Sequence, residues 1–229
     1  MKKNKVFVIA ANWNEEETIG QVLEAIPKDV VDDILVVDGG SKDKSVKVAE
    51  NLGYKVMQQD GRGRANAFKT GLKHIGSEYD YVVMLSTDGN ERPGDIRKIV
   101  EKLDEGHDMV IATRFGKGKS KDVTVLRNFG NYFFTILCNL FTGYKLTDAQ
   151  NGFRGIRRNA FLDMNIQANR FDIEDEMVMK AGKMKLKVTE IPTIEDEREF
   201  GKSRLNTFKD GWLIFKRIIN VAFSKPPYR

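Results

Sequence analysis

Residues 34–43 read Ile34-Leu35-Val36-Val37-Asp38-Gly39-Gly40-Ser41-Lys42-Asp43. The aliphatic run has no polar alternation, so it suits a strand buried on both faces. It ends on a carboxylate, two glycines and a serine, which are turn-forming residues. A helical pattern follows at Lys44–Leu52. The unit is therefore strand, polar turn, helix, and it recurs on either side. Upstream lie an apolar run at Val6–Ala11, polar residues at Asn12–Glu15 and a helical pattern at Glu15–Ala25. Downstream, strand signals at Lys55–Gln58, Tyr81–Leu85 and Met109–Thr113 alternate with helical patterns at Ala65–His74 and Gly94–Leu103. This alternation predicts an α/β fold with a mainly parallel sheet and helices on both faces. Ligands in such sheets bind outside the carboxyl ends of the strands. Three polar clusters fall there, at Asn12–Glu15, Asp38–Asp43 and Ser86–Asn90. They form a candidate site, although the same residue types also make turns and helix caps.

The bulk properties narrow the class. The chain has 229 residues, enough for one large α/β domain. With 41% hydrophobic and 31% charged residues it has material for a core and does not read as disordered. A net charge of +5 suits phosphate-bearing ligands or anionic lipid. A single cysteine, Cys138, excludes an internal disulfide framework, and His74 and His107 are too far apart in sequence to suggest a His/Cys zinc site. A reducing, cytosolic setting is the expectation. The start, Met-Lys-Lys-Asn-Lys, resembles a signal-peptide n-region, but the apolar run after it stops at Asn12 and reads as a first strand. No stretch approaches the ~20 apolar residues of a membrane span.

The second half changes character. Gly116–Asp122 reads as a Gly/Lys/Ser loop, and Thr124–Thr142 as a helix rich in aromatics. Strands are expected at Phe153–Ile156 and Lys187–Ile191, with a helix at Asp172–Gly182 between them. Ile194–Arg204 is a charged loop, and Asn206–Phe223 an amphipathic helix.

Four segments carry a resemblance: Asn14-Glu15-Glu16-Glu17-Thr18-Ile19, Val36-Val37-Asp38-Gly39-Gly40-Ser41-Lys42-Asp43, Asp148-Ala149-Gln150-Asn151-Gly152-Phe153-Arg154 and Phe200-Gly201-Lys202-Ser203-Arg204. In this order and spacing the chain resembles the family 2 glycosyltransferases of the GT-A fold, in particular the dolichol-phosphate mannose synthase-like subgroup. The resemblance covers nearly the whole chain. It implies a Rossmann-like, mainly parallel sheet flanked by helices, with a C-terminal amphipathic helix. It also implies one domain over 1–229, with a nucleotide-sugar half at 1–113, an acceptor half at 114–205 and the final helix and tail at 206–229.

By the same resemblance, Asn14, Glu15, Asp38, Gly40, Ser41 and Arg62 hold the nucleotide-sugar. The family often has a second Asp where this chain has Gly39. Where the family expects Asp-x-Asp, this chain has Ser86-Thr87-Asp88-Gly89-Asn90. Asp88, assisted by Ser86 and Asn90, is then the expected ligand set for Mg²⁺ or Mn²⁺ bridging the donor diphosphate; a plain turn at Asp88-Gly89-Asn90 is the alternative. Gly61-Arg62-Gly63-Arg64-Ala65-Asn66 precedes a helix whose N-terminus suits a phosphate. The resemblance places phosphate-holding cations at Arg114, Arg127, Arg154, Arg198, Lys202 and Arg204, where arginine's planar fork matches phosphate oxygens. Asp88, Glu176, Asp148 and Arg198 are the expected catalytic residues.

The implied reaction moves a hexose from GDP-mannose or a UDP-hexose to a polyprenyl or dolichyl phosphate, with inversion. A phosphate monoester, with its second pKa near ~6, is already a dianion nucleophile at neutral pH. A sugar hydroxyl acceptor instead needs a base, for which Glu174-Asp175-Glu176 is the candidate segment, unless these residues only complement the helix dipole. A non-catalytic nucleotide-sugar-binding protein is the third reading. The expected partners are the donor and the lipid acceptor, with peripheral contact at the inner face of the cell membrane through the basic amphipathic final helix and no nucleic acid.

Overall fold

The computed structural model describes residues 4–120, 125–195 and 207–225, with the side chains of 125–127 and 207 excepted. The strands are β1 (Val6–Asn12), β2 (Asp33–Asp38), β3 (Lys55–Gln58), β4 (Tyr81–Ser86), β5 (Met109–Thr113), β6 (Lys119–Ser120), β7 (Arg154–Arg157), β8 (Val188–Pro192) and β9 (Ile194–Glu195). The helices are α1 (Ile19–Glu24), α2 (Ser45–Asn51), α3 (Arg64–Lys73), α4 (Ile96–Asp104), α5 (Val125–Thr142), α6 (Arg158–Asp163), α7 (Ile173–Lys183) and α8 (Thr207–Phe223).

Seven strands form one sheet in the order β3-β2-β1-β4-β7-β5-β8. The period-two geometry of a strand explains its two core layers. Phe7, Ile9, Leu35, Val37, Val82 and Met84 enter one layer. Their neighbours Val8, Ala10, Ile34, Val36, Val83 and Leu85 enter the other. Both faces are covered, so the strands carry no polar alternation. Helix α4 shows the matching helical logic. Ile96, Ile99, Val100 and Leu103 recur at one face and are buried, each contributing roughly 1.5–3 kcal/mol as an upper bound. On the opposite face α3 approaches closely, and a Cβ on Gly71 would lie 2.7 Å from Ile9 Cγ2.

Parallel pairing sets the site. Asn12 is level with Asp38, and Ala11 with Ser86. The polar residues that end β1, β2 and β4 therefore meet along one edge.

Two features differ from the sequence reading, and a third, the direction of β7, it left open. The β7 strand runs antiparallel between β4 and β5. The first helix begins at Ile19 rather than Glu15, because Asn14 adopts a positive φ of 53° and Glu16 is taken up by the neighbouring loop. There, the Glu16 carboxylate accepts the Lys44 N–H at 2.9 Å. The charged loop expected from Ile194 opens as strand β9, paired with β6; residues 196–204 lie outside the described set. Among the described residues, no helix is long and apolar enough to cross a membrane.

Candidate active site

A cleft of about 1040 Å³ opens over the carboxyl ends of β1, β2 and β4. Its floor is organised by Asp38. One carboxylate oxygen accepts Asn12 Nδ2 at 2.7 Å and Ser41 Oγ at 2.5 Å; the other accepts the Gly40 and Ser41 N–H groups at 2.8 Å each. Ser41 Oγ also accepts the Asn14 N–H at 2.8 Å, and Asn14 Oδ1 accepts the Lys42 N–H at 2.6 Å. The four bonds to Asp38 fill the acceptor capacity of a carboxylate. Asp38 and Ser41, expected to touch the nucleoside, therefore tie two loops together and are not among the cleft-lining residues. Asn14, Glu15 and Gly40, expected beside them, do line the cleft, as does Trp13. A Cβ on Gly39 would come within 3.3 Å of Trp13 Cβ and Cγ. The indole thus packs where the family's second Asp would branch.

The loop after β4 supplies the acids. Ser86, Asp88 and Asn90 all face the cleft, as expected, and so does Glu91. Glu91 accepts the Ser86 N–H at 2.7 Å, closing the loop. Burial pushes its carboxyl up to about 8; the Arg64 guanidinium opposes that shift and Asp88 adds to it. Sequence reasoning missed Glu91. Its signal was a second carboxylate three residues beyond Asp88, just before a helix.

Facing these acids are cations. Arg62 lines the cleft from an exposed position. Arg64, the first residue of α3, sits between Glu91 Oε1 at 3.7 Å and Glu174 Oε1 at 3.6 Å. Its buried Nε and Nη2 have no hydrogen-bond partner among the described residues. A Cβ on Gly152 would lie 2.1 Å from Arg64 Nη2, so Gly152 makes room for the guanidinium. The sequence reading leaves Arg64 and Glu174 without an individual role. An arginine opening a helix right after a Gly-x-Gly was the available signal.

Arg114 also lines the cleft, and Asp148 holds it there. Nε donates to Asp148 Oδ2 at 2.7 Å and Nη2 to Oδ1 at 3.0 Å, with Glu195 at 3.4 Å from Nη1. Asp148, expected to be catalytic, is fully buried behind this bidentate pair and positions Arg114. Arg154, expected to hold phosphate, is fully buried as well. It donates to the carbonyls of Asn151, Glu174 and Ala149 and braces the turn before β7. Glu176, the expected base, lies away from the cleft. It accepts the N–H groups of Gln167 at 2.9 Å and Ala168 at 2.6 Å and pairs with Lys180 at 2.5 Å and Arg217 at 3.6 Å. Asp175, also in that segment, is buried against Cys138 and Gln150; burial, then Glu174, pushes its carboxyl up to about 8. Glu174 is the member of the segment that lines the cleft. Arg198, Lys202 and Arg204 lie outside the described residues. Arg127 belongs to α5, but its side chain is likewise outside them.

The arrangement brings side-chain oxygens and guanidinium groups into one cleft, which suits a diphosphate and an attached divalent cation.

Comparison with known proteins gives the family. The family model described as "Glycosyl transferase family 2" matches residues 7–164. Glycosyltransferase AglJ of Haloferax volcanii is 32% identical over 97% of this chain and 73% of its own length. A UDP-N-acetylglucosamine–dolichyl-phosphate N-acetylglucosaminyltransferase of Methanococcus voltae is 26% identical over 98% of this chain and 99% of its own. The crystal structure of glucosyl-3-phosphoglycerate synthase from Mycobacterium tuberculosis, solved with Mn²⁺, UDP and phosphoglyceric acid, matches with a TM-score of 0.77 at 17% identity. It covers 98% of this chain and 80% of that one, and at this identity the likeness bears on the fold. The matched family span holds the sheet strands β1 to β5 and β7 and the acidic loop after β4, and the chain belongs to glycosyl transferase family 2 as a GT-A glycosyltransferase.

Proposed function

We propose that this glycosyltransferase moves a hexose from GDP-mannose or a UDP-hexose onto the phosphate of a polyprenyl lipid. The observation that carries the reading is the pairing, in one cleft, of Asp88 with the cations Arg62, Arg64 and Arg114. The named dolichyl-phosphate transferase among its relatives supports the acceptor class.

The residues at the β4 loop fit a divalent cation shared with a substrate. No group of three or more His, Cys, Asp or Glu suited to a metal occurs among the described residues. Asp88, with oxygens from Ser86 and Asn90, would hold Mg²⁺ or Mn²⁺ together with diphosphate oxygens, a usual arrangement for Mg²⁺. Bound there, the metal offsets charge on the leaving diphosphate. Trp13, Asn14 and Glu15 border the place for the nucleoside. Arg64 and Arg114 hold phosphate oxygens, and Asp148 keeps Arg114 aimed. An acceptor phosphate oxygen attacks the anomeric carbon as the bond to the diphosphate oxygen breaks, and the nucleoside diphosphate leaves. In-line attack inverts the anomeric centre. The acceptor dianion needs no base, in keeping with Glu176 being taken up by Lys180 and Arg217. Residues 1–113 serve the donor and 114–205 the acceptor, at the inner surface of the cell membrane.

An activity screen tests this. GDP- and UDP-hexoses labelled in the sugar are incubated with a short-chain polyprenyl phosphate, with Mn²⁺, Mg²⁺ or chelator. Metal-dependent label in the organic extract is expected. Label appearing only in glycosides of added sugars would establish a hydroxyl acceptor instead, and release of free sugar alone would remove the transfer.

A further inference from the structure

We infer that Arg170, aimed by Asp210 of α8, is a further phosphate-holding residue of the cleft, set beside the turn that carries Arg62 and Arg64. The inference rests on the proposed function, since it adds a cation to the phosphates which that reading brings together.

The observation is that two cleft arginines are gripped in the same way. Arg114 is held by the buried Asp148 through Nε and Nη2. Arg170, which also lines the cleft, donates from Nε to Asp210 Oδ1 at 2.8 Å and from Nη2 to Oδ2 at 3.3 Å. The Arg170 side chain is 40% exposed, whereas that of Asp210 is 1% exposed. A two-point grip by a buried carboxylate fixes the plane of the guanidinium. A guanidinium has five N–H donors, and these two bonds leave Nη1 for another acceptor.

The backbone around Arg170 is fixed as well. Its N–H donates to Asp172 Oδ1 at 3.0 Å, and Asp172 Oδ2 accepts Nε of Arg217, on α8, at 2.9 Å. Just upstream, Glu176 accepts the Gln167 and Ala168 N–H groups. On the cleft side lies the turn before α3. Gly63 has a φ of 97°, and a Cβ there would fall 2.2 Å from the Asn169 carbonyl oxygen and 3.2 Å from Arg170 Cγ. Glycine thus lets the turn with Arg62 and Arg64 close against Arg170.

Charge gives this placement a use. Arg64 already stands between Glu91 and Glu174, and Arg114 between Asp148 and Glu195. The proposed transfer brings a phosphate dianion up to a diphosphate, and like charges meeting away from bulk water repel strongly. A guanidinium already fixed in the cleft offsets that repulsion with little ordering cost when the ligand arrives. Holding α8 to the 170–172 segment does not require Arg170 alone, because Arg217 also reaches Asp172 and Glu176. Both the donor diphosphate and the acceptor phosphate present the same chemistry to Arg170, oxygens that match the fork.

Calorimetric titration of the whole chain tests this without turnover. The probes are UDP or GDP with Mn²⁺, and a short, water-soluble polyprenyl phosphate. Arg170→Gln should raise the Kd of at least one probe roughly tenfold or more, and the probe affected names the phosphate held. Arg170→Lys keeps a cation for Asp210 but loses the fork, so it should weaken the same probe about threefold at an unchanged melting midpoint. Asp210→Asn, which leaves the guanidinium without its aiming charge, should act on that probe too. Arg217→Gln removes the other α8 contact from outside the cleft and should bind both probes as wild type does. Wild-type affinity for both probes in either Arg170 variant would overturn the inference. So would equal weakening in Arg217→Gln, which would make the Arg170 pair a fastening of α8 and nothing more, or absence of wild-type binding to either probe. A chain whose affinity depends on Arg170 yet moves no hexose to a lipid phosphate would sink the proposed function and leave this inference standing. Transfer to lipid phosphate with wild-type KM values in Arg170→Gln would do the opposite.

Discussion

Asp38 ends β2 and Asp88 follows β4, the two parallel strands that flank β1, yet their surroundings differ. Asp38 gives all its acceptor capacity to Asn12, Gly40 and Ser41. Asp88 faces the cleft and receives, from its own loop, a long 3.4 Å contact with the Asn90 N–H. The same division runs through α7. Glu174 reaches the cleft, while Glu176, two residues on, fastens the fold to Lys180 and Arg217. Position at a strand end or a helix start makes a carboxylate available. The neighbouring N–H groups decide whether the fold or the ligand uses it.

The strongest way to break this contrast is to remove each strand-end acid. Asp88→Ala should lower kcat by on the order of 10³-fold if it serves the diphosphate, with an unchanged melting midpoint. Asp38→Ala should show the reverse pattern, losing stability by about 1–3 kcal/mol through its stranded donors, as read by denaturant melts. On α7, Glu176→Gln should destabilise by about 3–5 kcal/mol because it breaks a buried ion pair with Lys180. Turnover per folded molecule should persist; a turnover loss at unchanged stability would return Glu176 to the chemistry.

The cation wall is sharpened by smaller changes. Arg64→Lys keeps the charge but loses the fork, and kcat/KM should fall about 10–100-fold. Gly152→Ala places a methyl against Arg64 Nη2 and should cost about tenfold by displacing the guanidinium. The effect of Asp175→Asn depends on pH. Asp175 is raised in the folded chain from 3.8 to about 8, by burial first and Glu174 next. The folded state therefore holds its proton more tightly. Its stability contribution is complete below the ordinary carboxylate range, declines as pH climbs and levels off above about 8. Wild type should melt below Asp175→Asn at pH 8, and the gap should close toward pH 4. A constant gap would remove Asp175 as its source.

Much of the fold was legible because strands buried on both faces leave unbroken aliphatic runs such as Val6–Ala10 and Ile34–Val37. The direction of β7 was not, since Arg154-Gly155-Ile156-Arg157 carries no mark of which way it runs; pairing with β4 and β5 sets that. In the site, Glu15, Arg62, Asp88 and Arg114 were readable as cleft residues. Asp38, Ser41, Asp148, Arg154 and Glu176 were not, because the groups that grip a ligand also grip backbone N–H groups, carbonyls or a buried counter-ion. Arg64, Glu91 and Glu174 come together only through tertiary packing, from segments 27 and 83 positions apart along the chain as numbered.

The most direct measurement is a crystal structure of the chain with Mn²⁺ and a nucleoside diphosphate. The diphosphate should lie between Asp88 and Arg64, with the metal on Asp88 and Asp38 still bonded to its own loop. A diphosphate bound outside this cleft, or one contacting Asp38 while Asp88 and Arg64 touch neither ligand, would contradict the account.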